Sequence, residues 1–416
     1  MNKREFVRTL GGASLAMLFG EDLWAQYTAL PPAQIAQDEA FWARIRRQYV
    51  LKPDYINLEH GYYSMQSQPV LEAFIRHVRE VNREASHYMR TRQYDDKNAV
   101  RARIAQLAGV PAEELIVTRN TTESLDTVIA GFDWHAGDEA VMAAQDYGAM
   151  LDMFRLQARR YGMVNRVVSL PMDPQSDEEI VQLYESAITP KTRLLMVCHL
   201  VNITGQILPV AKISDMAHRH GVQVMVDGAH AFGHLAFAIP DLRCDYYAAS
   251  LHKWLGSPLG AGMLWVRRDH IRELWPVFAD LSMADDDIRK LNHTGTHPVH
   301  TDIGLSDAID FHLGIGIERK EARLRYLQRH WTGQVRGQPG IYLNTPSDPA
   351  RSCGIANVGV RTMEPAALAR TLLERYHIWT VAIDGAGVRG ARITPHVFIT
   401  PAELDQLVRA LKEMAA

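Results

Sequence analysis

Cysteine is scarce. The chain has three in 416 residues, Cys198, Cys244 and Cys353, and none stands in a CxxC spacing. Their neighbours are mostly apolar or small, which reads them as packing thiols and excludes a disulfide framework or a cysteine zinc site. Neither charge sign dominates. Lys and Arg total 45 against 48 Asp and Glu, so no basic field is present to recruit nucleic acid. No internal repeat or low-complexity tract stands out, and no segment is apolar over a bilayer-spanning length. What remains is a globular composition, 47% hydrophobic and 22% charged, in a chain long enough for more than one domain.

The first 26 residues, "MNKREFVRTLGGASLAMLFGEDLWAQ", begin basic, run through a short small-and-apolar stretch and reach an alanine suited to cleavage. "KREFVR" is similar to a twin-arginine export motif in which Lys3 replaces the first arginine and Arg4 remains. Residues 1–26 are therefore expected to be an export signal and the mature protein periplasmic; without export it is cytoplasmic. Such signals suit proteins that fold around a cofactor before crossing the membrane.

From about residue 100 to 266, strand and helix patterns alternate. "ELIVT", "EAVMAA", "RVVSL", "RLLMVCHLV", "VQVMVDGAH", "CDYYAAS" and "AGMLWVRR" read as strands. "TTESLDTVIAGF", "YGAMLDMFRLQARRYG" and "VAKISDMAHRHG" read as helices between them. Leu125, Val128, Ile129 and Phe132 repeat at helical spacing. Apolar strands separated by helices predict an α/β fold, a mostly parallel sheet covered on both faces. Near residue 301 the style changes to one long helix or two joined ones, then shorter elements. "ARITPHVFIT" reads as a strand, and "TPAELDQLVRALKEM" as a helix capped by Thr400 and Glu403. The expected division is a segment 27–60 lying near the small domain, a large domain 61–300, and a linking helix with a smaller α+β domain 301–416.

"AASLHKWLGSPLGAG", residues 248–262, sets Lys253 beside a tryptophan and a run of small residues. That is a poor setting for a solvated lysine. Upstream, "VMVDGAH" sets Asp227 at the carboxyl end of an apolar strand, where open α/β sheets bind ligands. A surface salt bridge is the plain explanation of the two charges. Pyridoxal phosphate is the sharper one. Its aldehyde needs a lysine amine for a Schiff base, and its pyridine nitrogen needs a carboxylate to stay protonated. Its phosphate needs donors. In "VTRNTTESLDTV", threonines open a helix just after a strand, a ready anion site; Asn120 and Glu123 acting only as helix caps is the competing reading. Ser250 and His252 can add further donors.

"VDGAHAFG…CDYYAASLHKWLGSPLGAGMLWVRR" resembles the class V aminotransferase superfamily of fold type I, in its isopenicillin N epimerase-like branch. The likeness runs from about "NLEHGYYS" to the C-terminal helix. It implies a seven-stranded-type large-domain sheet and pyridoxal 5'-phosphate as cofactor. It implies Lys253 as the Schiff-base lysine, Asp227 as the pyridinium partner, and Thr121, Thr122, Ser250 and His252 as phosphate ligands. Tyr147 in "QDYGAM" falls at the ring-stacking position, with Asn202 and His230 at the phenolic oxygen. Arg392 matches the arginine that grips the substrate carboxylate, and Tyr62 lies in the substrate region. The likeness also implies a homodimer in which Thr296 of "NHTGTHP" reaches the neighbouring subunit's phosphate.

The cofactor directs chemistry to the Cα of an amino acid or peptide-borne amino acid. Cysteine desulfurases carry a nucleophilic cysteine shortly before the carboxylate arginine; "YHIWTVAIDGAGVRGAR" has none. The resemblance therefore implies an epimerase, with two alternatives. One is an aminotransferase, in the form of a periplasmic enzyme tailoring a peptide, as some exported relatives resemble enzymes that tailor a siderophore such as pyoverdine. The other is a cysteine C–S lyase acting by β-elimination. A reading from another class takes His293, His297, His300 and Asp302 as metal ligands of a hydrolase, but their Thr-, Gly- and Pro-containing segment argues for a loop.

Overall fold

The computed structural model describes residue 27 and residues 29–416; the expected export signal, residues 1–26, lies outside the described residues. After a two-residue strand β1 (Ile56–Asn57), the chain builds a seven-stranded sheet. Its strands are β2 (Leu115–Thr118), β3 (Glu139–Ala143), β4 (Val164–Val168), β5 (Thr192–Cys198), β6 (Gln223–Asp227), β7 (Tyr246–Ser250) and β8 (Gly262–Val266). Their order is β2-β8-β7-β6-β5-β3-β4, and β8 alone runs against its neighbours. Alternate residues feed opposite layers. Val224 and Val226 of β6 join one buried cluster, and Met225 between them joins the other. That is why the central strands read as unbroken apolar runs. β4, at the edge, leaves Val164 and Val167 exposed.

The C-terminal part holds an antiparallel sheet, β12-β13-β10-β9. Its strands are β9 (Ile341–Leu343), β10 (Ala356–Val360), β12 (Val381–Gly385) and β13 (Val388–Ile393), while β11 (Ile378–Trp379) pairs in parallel with β1. Two helices, Val299–Ile315 and Ile317–Val335, precede it and are divided at Gly316, whose φ is 86°. One expectation fails: "ARITPHVFIT" is a strand only as far as Ile393. Thr394 makes a single bridge to Glu59. Pro395 has no N–H to continue the ladder, and the chain turns so that Val397 and Phe398 enter the core.

The capping box of the Pro401–Ala415 helix forms as read, with Glu403 N–H donating to Thr400 Oγ1 and Thr400 N–H to Glu403 Oε2. Glu403 also takes both ends of the Arg46 fork, at 2.8 and 2.9 Å. This ties the helix Glu39–Arg46 to the C-terminal helix. Phe41, Trp42 and Ile45 share one core with Leu404, Leu407 and Leu411.

Candidate active site

β5, β6 and β7 end together, with Cys198 opposite Asp227 and Asp227 opposite Ala248. A cavity of about 310 Å³ opens over these carboxyl ends. Its wall includes Tyr62, Thr121, Thr122, Tyr147, Asn202, Asp227, His230, Ser250, His252, Lys253 and Arg392. Of the residues singled out in the sequence, Thr296 stands apart. It is exposed on the loop before the Val299–Ile315 helix and does not line the cavity.

Asp227 is buried, and its Oδ1 accepts from the Ala229 N–H at 2.9 Å. Burial raises its pKa, against the pull of that hydrogen bond and of Lys253. Lys253 follows β7 on a turn. Burial brings its amine down to about 8, although Asp227 works the other way. Its Nζ lies 3.0 Å from His230 Nε2. His230 is itself buried and held neutral, first by burial and then by Lys253 and Arg392.

The "NTTES" segment forms the helix cap and joins the helix start to β7. Asn120 caps the Thr121–Gly131 helix by accepting from Glu123 N–H at 2.8 Å. Ser250 Oγ meets Thr121 N–H at 2.9 Å and Thr121 Oγ1 at 2.7 Å, which joins the helix start to the end of β7. This fit needs Gly262, where a Cβ would lie 2.6 Å from the Asn120 backbone. Tyr147 occupies the N-cap position of the next helix, Gly148–Tyr161, without a side-chain capping bond, and is half exposed at the cavity. His252 Nδ1 meets the Ala261 carbonyl at 3.1 Å.

The donor set fits pyridoxal phosphate. A buried carboxylate stands where a protonated ring nitrogen needs a counter-charge, and an amine of lowered pKa stands where an aldehyde needs a nucleophile. Hydroxyls and backbone N–H groups gather at a helix start, where a phosphate belongs.

The residue that the sequence reasoning did not single out is Glu59. It is buried, and its carboxylate takes the Nε and Nη2 edge of Arg392. It also accepts from Tyr62 N–H at 3.0 Å. Arg392 Nη1 donates to the Asn202 carbonyl at 3.3 Å. The signal was a glutamate directly after Leu58 in "INLEHG", two positions before a glycine. All three cysteines are free and buried, and Cys198 also lines the cavity.

The histidines of "NHTGTHPVHTD" go separate ways. His293 faces Asp280 at 3.3 Å, His297 faces Asp302 at 2.9 Å, and His300 packs on Phe74. Among the described residues, no group of three or more His, Cys, Asp or Glu converges to hold a metal ion.

Fold and site together define a pyridoxal-phosphate enzyme. The chain belongs to the aminotransferase class-V family, which it matches over residues 64–410. It is 30% identical to an isopenicillin N epimerase of Amycolatopsis lactamdurans, over 90% of this chain and 98% of that protein. It is 28% identical to a probable cysteine desulfurase of Xylella fastidiosa, over 73% and 77%. Among solved structures, it is similar to the apo cysteine desulfurase of Thermococcus onnurineus NA1. There the TM-score is 0.79 and the identity 20%, over 90% of this chain and 98% of that one. A cysteine desulfurase of Escherichia coli gives a TM-score of 0.77 at 24% identity, over 90% and 98%. These two likenesses concern the fold.

Proposed function

We propose that the protein epimerises an amino acid, free or carried on a peptide, at its Cα. The observation that carries this reading is the match to nearly the whole length of an isopenicillin N epimerase. Persulfide formation on a nucleophilic cysteine of this chain lacks support. No cysteine follows Cys353. Burial pushes the Cys198 thiol well above its ordinary range, the opposite of what a nucleophilic thiolate needs.

The cofactor, when bound, supplies an electron sink that makes the Cα proton acidic. In this reading Lys253 would anchor the cofactor through Nζ and accept the Cα proton at the same atom. Asp227 holds the proton on the ring nitrogen. Thr121, Thr122, Ser250 and His252 hold the phosphate, while Tyr147 covers the ring face and Asn202 and His230 meet the phenolic oxygen. Arg392 orients the substrate carboxylate with the edge that Glu59 leaves open. Inversion requires the proton to return on the face away from Lys253. Tyr62 and Tyr147, whose hydroxyl-bearing rings line the cavity, are assigned that relay in this reading.

A homodimer with Thr296 reaching the neighbouring site belongs to the same reading, supported by the exposure of that loop. So does export ahead of residue 27, supported by "KREFVR" and the short apolar stretch after it; the N-terminal sequence of protein from the periplasmic fraction tests it.

The deciding experiment incubates the holoenzyme with free and peptide-linked amino acids in deuterated water. Epimerisation gives deuterium at Cα and the opposite enantiomer, without keto acid. A stoichiometric keto acid would replace this reading with transamination, and pyruvate from a cysteine or cystine substrate would replace it with β-elimination.

A further inference from the structure

Behind Lys253 runs a hydrogen-bond chain through His230 to Trp254, a residue to which the proposed reaction gives no role. Trp254 is fully buried and donates its indole N–H to His230 Nδ1 at 3.3 Å. An indole nitrogen only donates. His230 Nδ1 therefore keeps its lone pair, and a neutral imidazole in that state carries its proton on Nε2. Nε2 is the atom 3.0 Å from Lys253 Nζ. An ammonium has donors and no lone pair, so only a neutral amine accepts from Nε2–H.

Trp254 is clamped in this role. Its ring lies between those of His234 and His396, with centroids 3.9 and 5.9 Å away, and its carbonyl accepts from Lys320 Nζ.

We propose that Trp254 is a positioning residue: it fixes His230 as the Nε2–H tautomer and through it holds Lys253 as the free amine that adds to the cofactor's aldehyde. In that addition the Nζ lone pair bonds to the aldehyde carbon, the aldehyde oxygen leaves as water with both amine protons, and nothing is oxidised. The inference rests on the cofactor and is independent of the reaction at Cα. Other groups act on the pair. Asp227, Cys198 and Glu59 favour a charged Lys253, and Arg392 opposes it. His230 also faces Arg392, His234 and His252, all of which disfavour an imidazolium. Burial is the largest influence favouring the amine against Asp227, and the His230 contact is the hydrogen bond that adds to it.

The test mixes apoprotein with pyridoxal phosphate from pH 6 to 10 and follows the lysine-linked chromophore. The rate tracks the free-amine fraction. In Trp254→Phe the imidazole is free to change tautomer and accept from an ammonium. The midpoint of the rate profile should then move up by about one pH unit, a roughly tenfold slower rate below it. An unchanged midpoint overturns the proposal. Because Trp254 is buried, the wild-type apoprotein gives a second decision. Histidine 15N NMR, with His230→Gln for assignment, should show His230 protonated at Nε2 and bare at Nδ1. The opposite tautomer overturns the proposal even if the Phe variant does not fold.

Discussion

Glu59 and Arg392 form a buried ion pair in the wall of the active-site cavity, with Glu59 Oε2 accepting from Arg392 Nε at 3.2 Å. The pair joins the segment after β1 to the end of β13, two residues that lie 333 positions apart in sequence. Burying either charge alone is costly, because the interior offers no water to replace the lost partner.

Each single substitution, Glu59→Met or Arg392→Met, should therefore destabilise the apoprotein by about 3–5 kcal/mol. The double substitution should cost clearly less than the two singles added together. Urea unfolding of the four proteins measures the coupling. Simple additivity would show that the pair is held apart in solution.

Arg392→Lys keeps the charge and loses the planar fork. With the Nε edge occupied by Glu59, the remaining edge is what a carboxylate can use, and an ammonium cannot copy it. KM for carboxylate substrates should rise at least about tenfold, with a smaller change in kcat. An equal fall in kcat and kcat/KM at constant KM would mean that Arg392 acts on the reacting atoms instead of on binding.

Lys253→Ala should abolish the lysine-linked chromophore and lower turnover by about 10²–10⁴-fold or more. Asp227→Asn should still take up cofactor, since Lys253 and the helix start are intact, yet lose at least about 10²-fold in turnover. Absorbance of the reconstituted proteins separates the two effects. A fully active Asp227→Asn protein would remove the carboxylate from the mechanism.

Much of this site was legible because it sits at strand ends and helix starts, where sequence and geometry are tightly linked. Asp227 closes an apolar strand, Thr121 opens a helix three residues after another, and Lys253 follows a third. A strand that ends in a charge announces the sheet edge at which ligands gather. Glu59 escaped because its partner is distant in sequence and the strand just before it is two residues long, too short for any periodicity. The overlong strand at "ARITPHVFIT" failed for a related reason. Val397 and Phe398 are apolar because they pack in the core from a turn, and β-propensity alone does not separate the two cases. The role of Trp254 was not legible in the local sequence. Its bond to His230 spans 24 positions and appears only when β6 and β7 are set side by side.

Lys320 gives a pH test of the region behind the site. It is buried, donates to the Trp254 carbonyl, and burial brings its pKa from 10.5 down to about 7. The neighbouring His234, His312 and His396 are held neutral by burial, and Lys320 adds to that effect, so they do not titrate above pH 7. Below pH 7 native and unfolded chains both bind the Lys320 proton, and the penalty for burying the charge is full. Between pH 7 and 10.5 the unfolded chain holds a proton that the native chain has released, so stability rises with pH. At 1.36 kcal/mol per unit, the total is up to about 5 kcal/mol. Lys320→Met keeps the length of the side chain and leaves the Trp254 carbonyl unpaired, a constant loss of about 1–3 kcal/mol. The stability of Lys320→Met relative to wild type should therefore be highest at pH 6.5 and decline by several kcal/mol by pH 10. Denaturant titrations of both apoproteins at intervals across that window measure it. A difference that stays flat would mean that Lys320 keeps an ordinary pKa, and with it access to water.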